Sequence, residues 1–189
     1  MINNKPLYII SFLSKPDGGF ALFKLDESDN YRYVQYESLP INQYYQIEVN
    51  KLVDMIQKYQ IPQDDVEVFV VKPTGRKTDD TKTLFRIGYN TATVKAVIDI
   101  LKYKVYSIRN SMLWQDYFYL DQDNTKESAL QKAKELLPDT PIESTEQAEA
   151  ILIGVYGIET VIKKKVLTKS IDYYKSIPAN ALIDFSVMK

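Results

Sequence analysis

Residues 144–157, Ser-Thr-Glu-Gln-Ala-Glu-Ala-Ile-Leu-Ile-Gly-Val-Tyr-Gly, carry the pattern that most narrows what this chain can fold into. Ser144 followed three positions later by Gln147 is a capping-box start, in which a short hydroxyl side chain takes an orphan N–H of the first helical turn. Ala148, Ile151, Leu152 and Val155 follow at i, i+3, i+4 and i+7, so the spacing predicts a helix with one apolar stripe against a core. Glu146 and Glu149 stand three apart near its N-terminus and share one side. They admit two readings. As a pair they present two carboxylates to a hard cation; as ordinary first-turn acids they oppose the positive end of the helix dipole, for about 0.3–1 kcal/mol each.

The segments ahead of that helix alternate between strand and helix patterns. The apolar run Leu7–Leu13 reads as a buried strand, and Lys15-Pro16-Asp17-Gly18-Gly19 as the turn that ends it. Phe20–Leu25 and Tyr31–Tyr36 complete an antiparallel meander. Gln46–Gln60 is amphipathic, with Val49, Leu52, Val53 and Ile56 on one face, and the Ile61-Pro62 step stops it. Val66–Val71 is rich in β-branched residues and reads as a second buried strand. Thr83–Lys102 places Leu84, Ile87, Thr91, Val94, Ile98 and Leu101 at three and four spacing, which predicts a long core-packed helix. Val105–Ile108 is a short strand, and Thr125 opens a helix that runs to about Leu137. Three strands, helix, strand, long helix, strand and two helices give an α/β fold with a mixed central sheet flanked by helices.

Composition removes whole classes of chemistry. The 189 residues contain no histidine and no cysteine. Ser-His-Asp and Cys-His nucleophiles, histidine-ligated metals, disulfides and thiolate sites are therefore excluded. Catalysis would fall to carboxylates, Lys or Tyr with a hard metal such as magnesium. The net charge of −1 is not that of a general nucleic-acid binder, so any such contact needs a local basic patch. Lys72, Arg76, Lys77 and Lys82 offer one, diluted by Asp79-Asp80; the plain alternative is a solvated loop. Trp114 with Tyr117, Phe118 and Tyr119 reads as packing before base stacking. No apolar run reaches the ~20 residues of a membrane span and no secretory signal opens the chain, so the expected setting is a host cytoplasm or a virion.

Several of these stretches together resemble the RuvC-like Holliday-junction resolvases of the RNase H-like superfamily, in particular the short forms common in bacteriophage genomes. Pro16-Asp17-Gly18-Gly19-Phe20-Ala21-Leu22 is similar to the family's Gly-Gly turn into its second strand. Val68–Pro73, Gly75 and Phe85-Arg86-Ile87-Gly88 are similar to its middle section. Trp114, Thr125-Lys126-Glu127 and Leu137-Pro138 match the segment before the last helix, and Ala148–Gly157 matches that helix.

The resemblance implies an RNase H-like core over residues 1–157, with 158–189 as a C-terminal extension. It also implies four carboxylates, on the first strand, the central strand and twice on the last helix, holding two divalent metals about 3.5–4 Å apart. The first strand here offers Ile10, Ser11, Phe12 and Leu13, and the central-strand position is Val71. Glu67 lies four residues back, about 13 Å along the strand. Only Glu146 and Glu149 match. The expectation is therefore a catalytically inactive RuvC-like protein, without a cofactor, serving as a structural or interaction module of a bacteriophage. Two alternatives stand beside it: a divergent magnesium-dependent, structure-selective endonuclease using Glu146, Glu149 and Asp17, and a pseudonuclease that binds DNA without cutting. Beyond Gly157, the apolar content of Tyr173–Met188 predicts contact with another protein chain.

Overall fold

The computed structural model describes residues 5–71, 80–108 and 111–164. Among these residues, a five-stranded sheet is ordered β3-β2-β1-β4-β5. Its strands are β1 (Tyr8–Phe12), β2 (Gly19–Leu25), β3 (Tyr31–Ser38), β4 (Val66–Val71) and β5 (Lys104–Ile108). The meander β1-β2-β3 is antiparallel, whereas β1 with β4 and β4 with β5 are parallel, so the sheet is mixed, as the element order predicts. The helices are α1 (Val49–Gln57), α2 (Thr81–Ile100), α3 (Ser111–Tyr117), α4 (Thr125–Leu136) and α5 (Thr145–Gly157), and a π-helical turn, Ile158–Ile162, carries α5 onward.

The period-two pleat divides the strand residues between two cores. Ile10, Phe12, Val68 and Val70 face α1 and α2 together with Leu52, Ile56, Val94 and Ile98. Ile9, Phe69 and Val71 face the other way, with Trp114, Ala129, Ala133, Ile151 and Leu152 from α3, α4 and α5. Every residue of β4 is buried, which explains a composition of four valines and a phenylalanine, with Glu67 as the one charged residue.

Two expectations need correction. The α2 pattern predicts a helix packed along its whole length, yet Leu84 is 40 % exposed while Thr91, Val94 and Ile98 are buried. Asp80 caps the helix by accepting from the Thr83 N–H, and the first turns of α2 project beyond the core. The α5 pattern predicts one apolar stripe, but every residue from Gln147 to Gly154 is buried. The sheet covers one side of α5 and α4 the other. Close approach on the sheet side depends on Gly154: a Cβ there would come within 2.2 Å of the Phe23 ring. Ser11, in the middle of β1, uses that proximity to donate from Oγ to the Ala150 carbonyl at 2.7 Å.

Candidate functional site

The N-terminus of α5 is built as the sequence predicts, with one variation. Ser144 Oγ accepts from the Gln147 N–H at 3.0 Å, which closes half of the capping box. The reciprocal half is displaced by one residue: Gln147 Oε1 accepts from the Glu143 N–H at 2.9 Å, and its Nε2 donates to the Tyr33 hydroxyl at 3.0 Å. Gln147 thus pins the start of α5 to β3. That pin fixes where Glu146 and Glu149 stand.

Glu149 is buried, and Lys15 from the β1–β2 turn donates from Nζ to its Oε2 at 2.7 Å. Glu146 receives Lys126, from the first turn of α4, with Nζ 3.1 Å from its Oε1. The same ammonium lies 3.9 Å from Asp17 Oδ2, so Asp17 and Glu146 share one cation. Burial works against the Glu146 carboxylate, but its own backbone N–H, Lys126 and the Thr145 hydroxyl outweigh it and hold the pKa below the ordinary value. The hydrogen bond to Glu146 holds the Lys126 ammonium above its ordinary value. Tyr36 also borders the cluster; burial first, then the charges of Glu146, Asp17 and Glu149, push its hydroxyl up to about 12.

The strand ends beside this cluster carry hydrocarbon. Phe12 is paired with Val70, so the next positions on the two parallel strands are Leu13 and Val71. Val71 belongs to the core beneath α5, and the half-buried Leu13 packs against that core. Glu67, at the opposite end of β4, engages Lys104 at 3.3 Å and the Tyr106 hydroxyl at 3.2 Å.

Solved structures match this architecture over most of its length, two of them as follows. Thermus thermophilus RuvC in complex with a Holliday junction substrate is 11% identical, with a TM-score of 0.60 over 82% of this chain and 97% of that one. The yeast mitochondrial Holliday junction resolvase is likewise 11% identical, with a TM-score of 0.61 over 92% of this chain and 87% of the other. The chain has a RuvC-like fold. No protein-family model matches the sequence, and no curated protein matches it significantly.

Within the RuvC-like fold, Asp17, Glu146 and Glu149 come together as one neighbourhood. Lys82 stands exposed in the first turn of α2, while Lys72, Arg76 and Lys77 lie outside the described residues, as does Tyr173–Met188. Trp114 and Phe118 are buried, which settles them as packing, although Tyr119 is 94 % exposed. Sequence reasoning missed Lys15 and Lys126. Lys126 sits in the Thr125-Lys126-Glu127 stretch that carries part of the resemblance, but only the packing of α4 on α5 reveals its carboxylate partners.

Proposed function

We propose that this chain is a non-cleaving protein of the RuvC-like fold that serves as an interaction module, with branched or duplex nucleic acid as the partner class. The observation that carries the reading is the Lys15–Glu149 contact at 2.7 Å. A buried carboxylate that holds an ammonium so closely has its charge and one oxygen already engaged. The resemblance implies further acids on the first and central strands, where this chain carries Ile10, Ser11, Phe12 and Leu13 on the first and Val71 on the central one. Nucleic acid as the partner is supported by the fold neighbours, one of which is a RuvC with a Holliday junction substrate. A bacteriophage setting rests on the sequence resemblance, as does an interaction role for residues 158–189.

The alternative, a divergent magnesium-dependent endonuclease, has one observation in its favour. Asp17, Glu146 and Glu149 all act on the Lys126 ammonium. One pair of assays separates the readings. A labelled four-way junction should bind in EDTA at low salt, with the logarithm of affinity falling steeply against the logarithm of salt concentration. The same junction should remain intact in magnesium or manganese. Strand cleavage that disappears in Glu149→Ala would establish the endonuclease instead, and a flat salt response would remove nucleic acid as the partner.

A further inference from the structure

We infer that Lys15 and Lys126 stand in for the cations of a RuvC-type acid site, so that its acids are neutralised from within and take no divalent ion; this rests on the non-cleaving reading above. Three elements converge to build the arrangement. The β1–β2 turn supplies Lys15 and Asp17, α4 supplies Lys126, and α5 supplies Glu146 and Glu149. Two ammonium groups thus face three carboxylates.

Geometry sets the ammoniums in competition with any cation from solution. The ammonium nitrogens lie 2.7 Å from Glu149 Oε2 and 3.1 Å from Glu146 Oε1. A divalent ion that used these oxygens, at about 2.0–2.6 Å, would have to displace the ammoniums, and one that used the second oxygens would face two ammonium charges at close range. The ammoniums are tethered to the fold, so they compete at a high effective concentration whatever the solution contains. Lys15 is the less replaceable of the two. The Glu149 side chain is only 8% exposed, and a carboxylate that deep is costly without its charge partner. Leu13 and Val71 supply no further ligand, since both are hydrocarbon, Val71 within the core beneath α5 and Leu13 packed against it. The inference predicts a gain: Asp17, Glu146 and Glu149 are not spaced as a ready metal site among the described residues, but once the ammoniums are removed their charges are left to attract a cation from solution.

The experiment measures manganese binding to the full chain by electron paramagnetic resonance, alongside thermal unfolding in EDTA and in magnesium. The wild type should show no saturable manganese binding below millimolar concentration and the same unfolding midpoint in both solutions. Lys15→Met/Lys126→Met should gain manganese affinity roughly tenfold or more, and magnesium should raise its unfolding midpoint. Adding Glu149→Gln should cancel the gain. If the double variant does not fold, Lys126→Met alone carries the test at Glu146 and Asp17, since the Lys126 side chain is 57% exposed. Saturable manganese binding by the wild type that is lost in Glu149→Gln would overturn the inference, as would a folded double variant with no gain. A wild type that binds manganese yet leaves junctions intact refutes this inference while sparing the non-cleaving reading. Junction cleavage refutes that reading itself.

Discussion

Gly154 sits so close to Ser11 that a Cβ added to the glycine would come within 2.8 Å of the serine Oγ. The contact is what lets α5 lie directly on β1 and β2. Gly154→Ala should therefore cost about 1–3 kcal/mol through overpacking, seen as a lower urea midpoint with an unchanged m-value. Gly88 is the control. It lies in α2 with nothing within 4 Å of an added Cβ, so Gly88→Ala should stabilise by up to about 1 kcal/mol through helix propensity.

Asn90 is a second fixed point. Fully buried on α2, it accepts from the Ile47 N–H at 3.1 Å and donates to the Tyr45 carbonyl at 3.1 Å. It thereby holds Tyr45 at φ 61°, a conformation that costs a non-glycine residue energy. Asn90→Ala leaves the Ile47 N–H unpaired and should destabilise by about 1–3 kcal/mol. Hydrogen exchange should then accelerate at Ile47.

The Lys126–Glu146 pair sets a pH window. The Glu146 pKa is lowered in the folded state, so its contribution is present above the ordinary value of 4.5 and lost as pH falls through the folded pKa. The Lys126 pKa is raised, so its contribution is present below the ordinary 10.5 and lost as pH rises through the folded pKa. The stability difference between wild type and Lys126→Met should be flat between those limits and shrink outside them. Denaturant titrations across pH check this.

Trp114 is the chain's only tryptophan and is 2% exposed. Its fluorescence should be blue-shifted, poorly quenched by acrylamide, and red-shifted on unfolding. Its indole N–H is buried without a hydrogen-bond partner among the described residues. Trp114→Tyr, which moves the polar atom elsewhere, should destabilise more than Trp114→Phe in the same titration.

Deleting residues 170–189 should leave a folded protein, because Ile158 and Ile162 already pack into the core beneath α5. Loss of assembly or partner capture without loss of the cooperative unfolding transition would support the interaction role of that segment. Sedimentation and thermal melting of the full and shortened chains measure both.

Much of the fold is legible because its signals are local. The valine-rich stretch Val66–Val71 and the Ser144 cap each need only a few neighbouring residues, and both stand where the sequence places them. Leu84 misleads because helical periodicity identifies a face without telling how far the core extends beneath it. Glu149 misleads differently: its reading as a first-turn acid opposing the helix dipole fails because only Glu146 lies in the first turn, and the packing of α4 and the β1–β2 turn buries Glu149 against Lys15. The candidate site was legible in its acids and silent in its lysines. Lys15 and Glu149 share no local pattern, and their pairing exists only once the sheet and α5 have met.

The hydrogen bond from Ser11 to Ala150 joins residues 139 positions apart, which imposes a timetable on biosynthesis. At about 5–20 residues per second, the ribosome takes on the order of ten seconds to deliver α5 after β1 has emerged. Throughout that interval the face of the meander bearing Ile9, Ala21 and Phe23 has no α5 to cover it. A nascent chain that stops short of Ser144 therefore presents that apolar face without the helix that packs directly on it.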